Sequence, residues 1–210
     1  MTVVALIGDI IKSRSIQQRE HVQRDVEKAI TAVAKQTRTK LLSPYTVTLG
    51  DEFQAVFKGA EHLFMDIWLL LYLLHPLRIR LSIGVGDLST RLNRKRAIGM
   101  DGPAFHLARM GIANLKLSRE SFRVEEPVDR ERDWINPALS VIGHMSATWR
   151  KPRLFILHRI LAGETPKTIA KRSSLTLGAV YKNIDAGALR SIAEIFKTIE
   201  RTIDDRDFLE

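Results

Sequence analysis

No cysteine occurs in the 210 residues, which removes disulfide staples, thiolate metal sites and a cysteine nucleophile together. Long apolar runs are also missing. The longest apolar region, residues 63–74, is interrupted by Asp66 and falls well short of the roughly 20 residues that a membrane span needs. Residues 3–7 are apolar, but Gly8-Asp9 follows at once, and the pattern is not that of a secretory leader. There is no internal repeat and no low-complexity segment. These absences lead to the expectation of a cytoplasmic protein with no membrane partner. Hydrophobic residues make up 45% and charged residues 27%, so a packed core is expected, and the length suits one large domain or two small ones.

Acidic residues are in short supply. Lys and Arg number 33 against 24 Asp and Glu, a formal charge of +9. Such an excess favours a polyanionic partner, nucleic acid or nucleotide. Its placement says more than its total. Residues 149–190 hold nine basic residues against two acidic ones, Glu164 and Asp185. A second cluster, Arg91, Arg94, Lys95 and Arg96, stands in an otherwise mixed first half. A solvated basic surface is the plain alternative for either cluster.

The first half reads as alternating strands and helices. Residues 2–8 form a nearly continuous β-branched and apolar run, the pattern of a strand buried on both faces. Ser15 and Gln18 form a capping box for a helix to about Gln36, with Val22, Val26, Ala29, Ile30 and Val33 on its inner face. Residues 45–57 read as two strands joined at Gly50-Asp51. A helix from about Glu61 to His75, a strand over 78–86, a helix over 103–112 and an edge strand over 121–125 follow. The order predicts an α+β fold, a ferredoxin-like mixed sheet with helices on one face. The charged stretch 125–137, with two prolines, breaks the periodicity. It predicts an α/β domain over 1–126, a linker over 127–137 and an all-α domain over 138–210.

Within the last segment, Thr165 is a good N-cap, with Pro166 at the first helical position where its missing N–H costs nothing. Ser173-Ser174-Leu175 turns the chain, and Thr176 caps a second helix with Ala179, Val180 and Ile184 inward. With the small Ala170 where two helices must approach, this segment resembles the helix-turn-helix of sigma-factor region-4-like and response-regulator output domains. The resemblance implies DNA binding by the second helix, whose first residues would meet base edges: Thr176, Leu177, Gly178, Tyr181 and Lys182. Lys167, Lys171 and Arg172 would face phosphates. A helical bundle used for protein contact is the alternative. Beyond it, Leu189, Ile192, Phe196, Ile199 and Ile203 recur at spacings of 3 and 4. This stripe suits a homodimer seam or the core of the C-terminal helices.

Two acidic residues stand at strand ends, Asp9 and Asp51. Alone, each reads as a turn former. Carboxylates at adjacent strand termini can also share Mg²⁺ together with phosphate oxygens. Glu52 alternates in pleat direction with Asp51 and is expected to point elsewhere. The run 50–57, Gly-Asp-Glu-Phe-Gln-Ala-Val-Phe, resembles the Gly-Asp hairpin of class III nucleotidyl cyclases and, less closely, of diguanylate cyclases. That resemblance implies a nucleotidyl-cyclase-like fold and Mg²⁺ as cofactor, held by Asp9 and Asp51 with a backbone carbonyl from Ile10. It also implies a nucleotide phosphate cradled by the backbone of Ile10, Ile11, Lys12, Ser13 and Arg14. Where the cyclases carry a helix with Asn and Arg, this chain has His106 in the Asn place and Arg109 one residue early. Both are candidate nucleotide contacts, with Asp101 as a third acidic group.

The runs Gly8-Asp9-Ile10-Ile11-Lys12-Ser13-Arg14 and Gly99-Met100-Asp101-Gly102-Pro103-Ala104-Phe105, followed by Ala108-Arg109, occur with the Gly-Asp hairpin in the SatD family. The chain resembles that family over nearly its whole length. The expected function is a DNA-binding transcriptional regulator whose cyclase-like domain takes a nucleotide or Mg²⁺-nucleotide as its signal. The alternative is a Mg²⁺-dependent nucleotidyl cyclase or transferase recruited to nucleic acid by its helix-turn-helix. No catalytic residue is assigned.

Overall fold

The computed structural model describes residues 1–11, 19–37, 40–48, 52–127 and 132–205. Five strands and eight helices are seen among them. Strand β1 (Thr2–Ile10) leads into helix α1 (Arg19–Gln36), and β2 (Leu41–Val47) and β3 (Glu52–Phe57) follow. Then come α2 (Leu63–Leu74), β4 (Ile79–Asp87), α3 (Pro103–Ser118) and β5 (Phe122–Glu125). The sheet order is β2-β3-β1-β4-β5. β1 is antiparallel to both β3 and β4, and β2 is antiparallel to β3, so two β-α-β units interleave. β5 adds at the edge, parallel to β4. β2, at the other edge, tolerates Pro44 within the register shift between Ser43 and Thr46, since an edge strand can spare an N–H.

β1 is apolar on both sides because both sides are covered. Val4, Leu6 and Ile10 meet α1 and α2 in one cluster, while Val3, Ala5 and Ile7 meet α3 in another. The expectation of helices on one face is therefore corrected: α3 covers the second face. The residues that allow it are small. A Cβ on Gly84 would clash with the carbonyl oxygen of Ala104 and lie 2.5 Å from the nitrogen of Ala108. Gly111 in turn rides on Ser82. A helical Gly costs about 1 kcal/mol relative to Ala, and here that cost is offset by close helix–sheet packing. This packing carries α3 past Ile112, its expected end, to Ser118.

Helices α4 (Ile135–Ser146), α5 (Lys151–Leu161), α6 (Pro166–Arg172), α7 (Leu177–Ala186) and α8 (Leu189–Asp204) complete the chain. They share one apolar cluster with the sheet and α2. Asn136 of α4 both donates to and accepts from the backbone of Val124, at 2.9 Å each, and so occupies the open edge of β5. Phe196 stacks on Phe64 with ring centroids 4.2 Å apart. Two carboxylates of α8 serve the start of α2: Glu200 accepts from the Phe64 N–H at 2.8 Å, and Asp204 from those of Ala60 and Glu61 at 2.7 and 3.0 Å. Groups left over at a helix N-terminus are thus satisfied by a distant part of the chain. The stripe Leu189, Ile192, Phe196, Ile199 and Ile203 is buried in this same core, so it does not form a seam between copies. No described helix is long and apolar enough to cross a membrane.

Candidate functional site

At the end of β1 a row of charged side chains crosses the sheet. The antiparallel registers place Asp9 opposite Glu52 of β3 on one side and opposite Arg80 of β4 on the other. Directly opposed residues share a face, here the face covered by α3. Asp9 is buried, and both its oxygens are engaged: Oδ2 lies 3.2 Å from Nη1 of Arg80, and Oδ1 lies 3.2 Å from Nζ of Lys116. Arg80 also donates to the Leu115 carbonyl at 3.3 Å. Glu52 accepts from the Thr48 hydroxyl at 3.3 Å, and Nη1 of Arg109 stands 4.0 Å from it. Arg109 and Lys116 lie seven residues apart, two helical turns, so α3 brings both over the row.

Two carboxylates thus meet three cations. A divalent ion seeks a surplus of oxygen donors and negative charge. Among the described residues no group of three or more His, Asp or Glu side chains gathers to hold one. The described residues therefore do not by themselves make a Mg²⁺ site. What they offer an incoming group is a cluster of positive heads, two of them accessible, since Arg109 is exposed and Lys116 half-exposed.

Several expected contacts fall elsewhere. Asp51, Lys12, Ser13 and Arg14 lie outside the described residues. Ile10 is buried at the end of β1, on the face away from α3, and the Ile11 N–H already donates to the Arg78 carbonyl at 2.8 Å. That amide is committed to the sheet. Asp101 and His106 pair with each other at 2.8 Å in the open at the start of α3. The Gly102 N–H, then His106, hold the Asp101 carboxyl below its usual range. Gly102 abuts Asp87 at the far end of β4, seven residues from Arg80, so Asp101 stands at the other end of that strand from Asp9, with Arg109 near enough to favour its charged form. The fold does not bring Asp101 to Asp9.

Sequence reasoning missed Arg80, Lys116 and the position of Glu52. The signal lay in β4, where Arg80 is a large charge on a face otherwise made of Ser82, Gly84 and Gly86. The antiparallel register then sets it against Asp9.

The second region of interest is α6–α7. Thr165 and Thr176 cap their helices as the sequence suggests, accepting from the N–H groups of Thr168 and Ala179 at 3.3 and 3.1 Å. Ile169, Val180 and Ile184 are buried. Lys167, Lys171, Arg172, Thr176, Leu177, Gly178, Tyr181 and Lys182 are all exposed. Arg172 leans on Glu164, which also binds Arg159.

A family model, that of the SatD family, matches residues 3–192. The chain belongs to the SatD family. The matched span runs from β1 into α8, so sheet and helices together form the unit that defines this SatD-family chain. A comparison with curated proteins gives no match.

Proposed function

We propose that this SatD-family protein is a DNA-binding regulator, with α7 as the helix presented to the major groove and the charged row at the sheet end as the seat of a nucleotide signal. The observation that carries the reading is the outward face of α6–α7. Leu177 and Tyr181 are 42% and 43% exposed, and Gly178 has nothing among the described residues within reach of an added Cβ. A helix whose N-terminal turn is small, open and flanked by Lys167, Lys171, Arg172 and Lys182 suits a duplex groove with phosphates on either side. The interleaved sheet, with Asp9 ending β1 and Glu52 opening β3, supports the nucleotidyl-cyclase-like reading of the first half. Arg109 and Lys116 are the cations within reach of a phosphate there. Coupling requires the nucleotide to favour one arrangement of α8 and α2 over another.

Fluorescence anisotropy of a labelled duplex tests the DNA half. Four phosphate contacts predict log K falling with log salt at a slope of about −3.6, roughly 150-fold weaker binding at 200 mM than at 50 mM salt. Lys171→Ala with Lys182→Ala lowers that slope by about 1.8. No binding at low salt, or a slope untouched by the double variant, removes α6–α7 from the function. Calorimetry with ATP and GTP, with and without Mg²⁺, tests the other half through Arg109→Ala with Lys116→Ala. Turnover of the nucleotide in the same tubes would replace the regulator reading by that of a nucleotidyl transferase.

A further inference from the structure

A cavity of about 350 Å³ opens between α2, the start of β4 and the α4–α5 connection. Its lining lies on the face of the sheet opposite the charged row and includes no residue of α6 or α7. Its buried lining is aromatic and aliphatic: Trp68, Trp149, Phe122 and Leu154. Trp68 and Trp149 pack with ring centroids 5.6 Å apart, and Arg153 covers Trp149 at 5.6 Å. Trp68 is fully buried, its indole N–H included, while Trp149 keeps a small part of its surface exposed. The exposed lining residues include two arginines, Arg78 and Arg150, one on each wall. Neither has a carboxylate partner among the described residues, although carboxylates occupy many of the cations elsewhere in the fold.

We propose that this cavity binds a small planar aromatic carboxylate. The size is that of a small-molecule pocket, and the combination of apolar floor and few polar groups is the usual one. The ring of the ligand meets the tryptophans and Phe122. Its carboxylate meets Arg78 and Arg150, whose guanidinium groups suit a two-oxygen anion better than any neutral group. Because Arg78 precedes β4 and Arg150 precedes α5, the ligand ties the sheet to the C-terminal helices. The cavity is thus a second ligand site, independent of the nucleotide reading.

The test uses the full chain, 2-naphthoate and its neutral counterpart 2-naphthylmethanol, by calorimetry and by ¹⁵N spectra of the indole N–H groups. One 2-naphthoate per chain is expected, with a displacement of the Trp149 indole proton. Arg78→Ala with Arg150→Ala, both at exposed positions, weakens binding by roughly tenfold or more, as does the neutral alcohol. Trp149→Phe keeps an aromatic ring on that wall and removes that signal. Absence of 2-naphthoate binding at millimolar ligand overturns the proposal. So does binding that is indifferent to the arginines, or that leaves the Trp149 signal in place.

Discussion

Glu200 is the place where a single proton tells on stability. It lies almost wholly buried on α8, against the start of α2, with the Phe64 N–H as its donor. Burial pushes its carboxyl from an ordinary 4.5 up to about 7, against the pull of the Phe64 and His62 N–H groups and helped by the nearby Asp204 and Asp66. The folded protein therefore holds this proton more tightly than the unfolded chain. Between pH 4.5 and about 7 the folded state binds more protons, so stability falls as pH rises through that window. At about 1.4 kcal/mol for each pH unit, the loss reaches about 3 kcal/mol once the pH is above the window. Glu200→Gln keeps an oxygen for Phe64 and carries no charge. Urea unfolding of both proteins, followed by tryptophan fluorescence, should show the variant more stable by about 1 kcal/mol at pH 5 and about 3 kcal/mol at pH 8. Titrating groups that do not interact with Glu200 cancel in the difference. A gap that stays constant between the two pH values would refute the reasoning, and so would a wild type that gains on the variant as pH rises.

Asp9→Ala leaves Arg80 with a buried charge and no carboxylate, and should cost about 3 kcal/mol in urea unfolding, whereas Lys116→Ala, half-exposed, should cost less than about 1. Gly84→Ala sets a methyl group against the backbone of α3, and a loss of about 3 kcal/mol with weakened α3 amide protection in hydrogen exchange is expected. Unchanged exchange in α3 would contradict the close approach. Thr176→Ala removes the α7 cap and should lower stability by about 1 kcal/mol, with α7 amides exchanging faster than those of α8.

Much of the chain's local structure is decided by short-range rules. The β-branched run of β1, the apolar spacing of α1 and the Thr caps of α6 and α7 each follow from residues within a few positions of one another. These were legible without coordinates. The membership of the SatD family was legible for the same reason, because its motifs are contiguous. The stripe on α8 shows the limit. Its period fixes a helix with one apolar face, but nothing in the period says whether another copy or the chain's own α2 covers it. Phe64 and Trp68 cover it.

The composition of the candidate site was a tertiary matter as well. Asp9 could be singled out as an acid at a strand end. Its partners are set by strand register, and a register is a relation between segments some 40 to 70 residues apart in the chain. Hence Arg80 and Glu52 join Asp9, while Asp101, in a motif just as conspicuous, is carried by α3 to the other end of the sheet. The same holds for the cavity beside Trp68, whose walls come from residues 68–79, 121–122 and 143–154. Local sequence settles which residues can form a helix or a strand. Only the packing of those elements settles which charges meet, because the free energy of burying an ion depends on partners that the chain brings from far away.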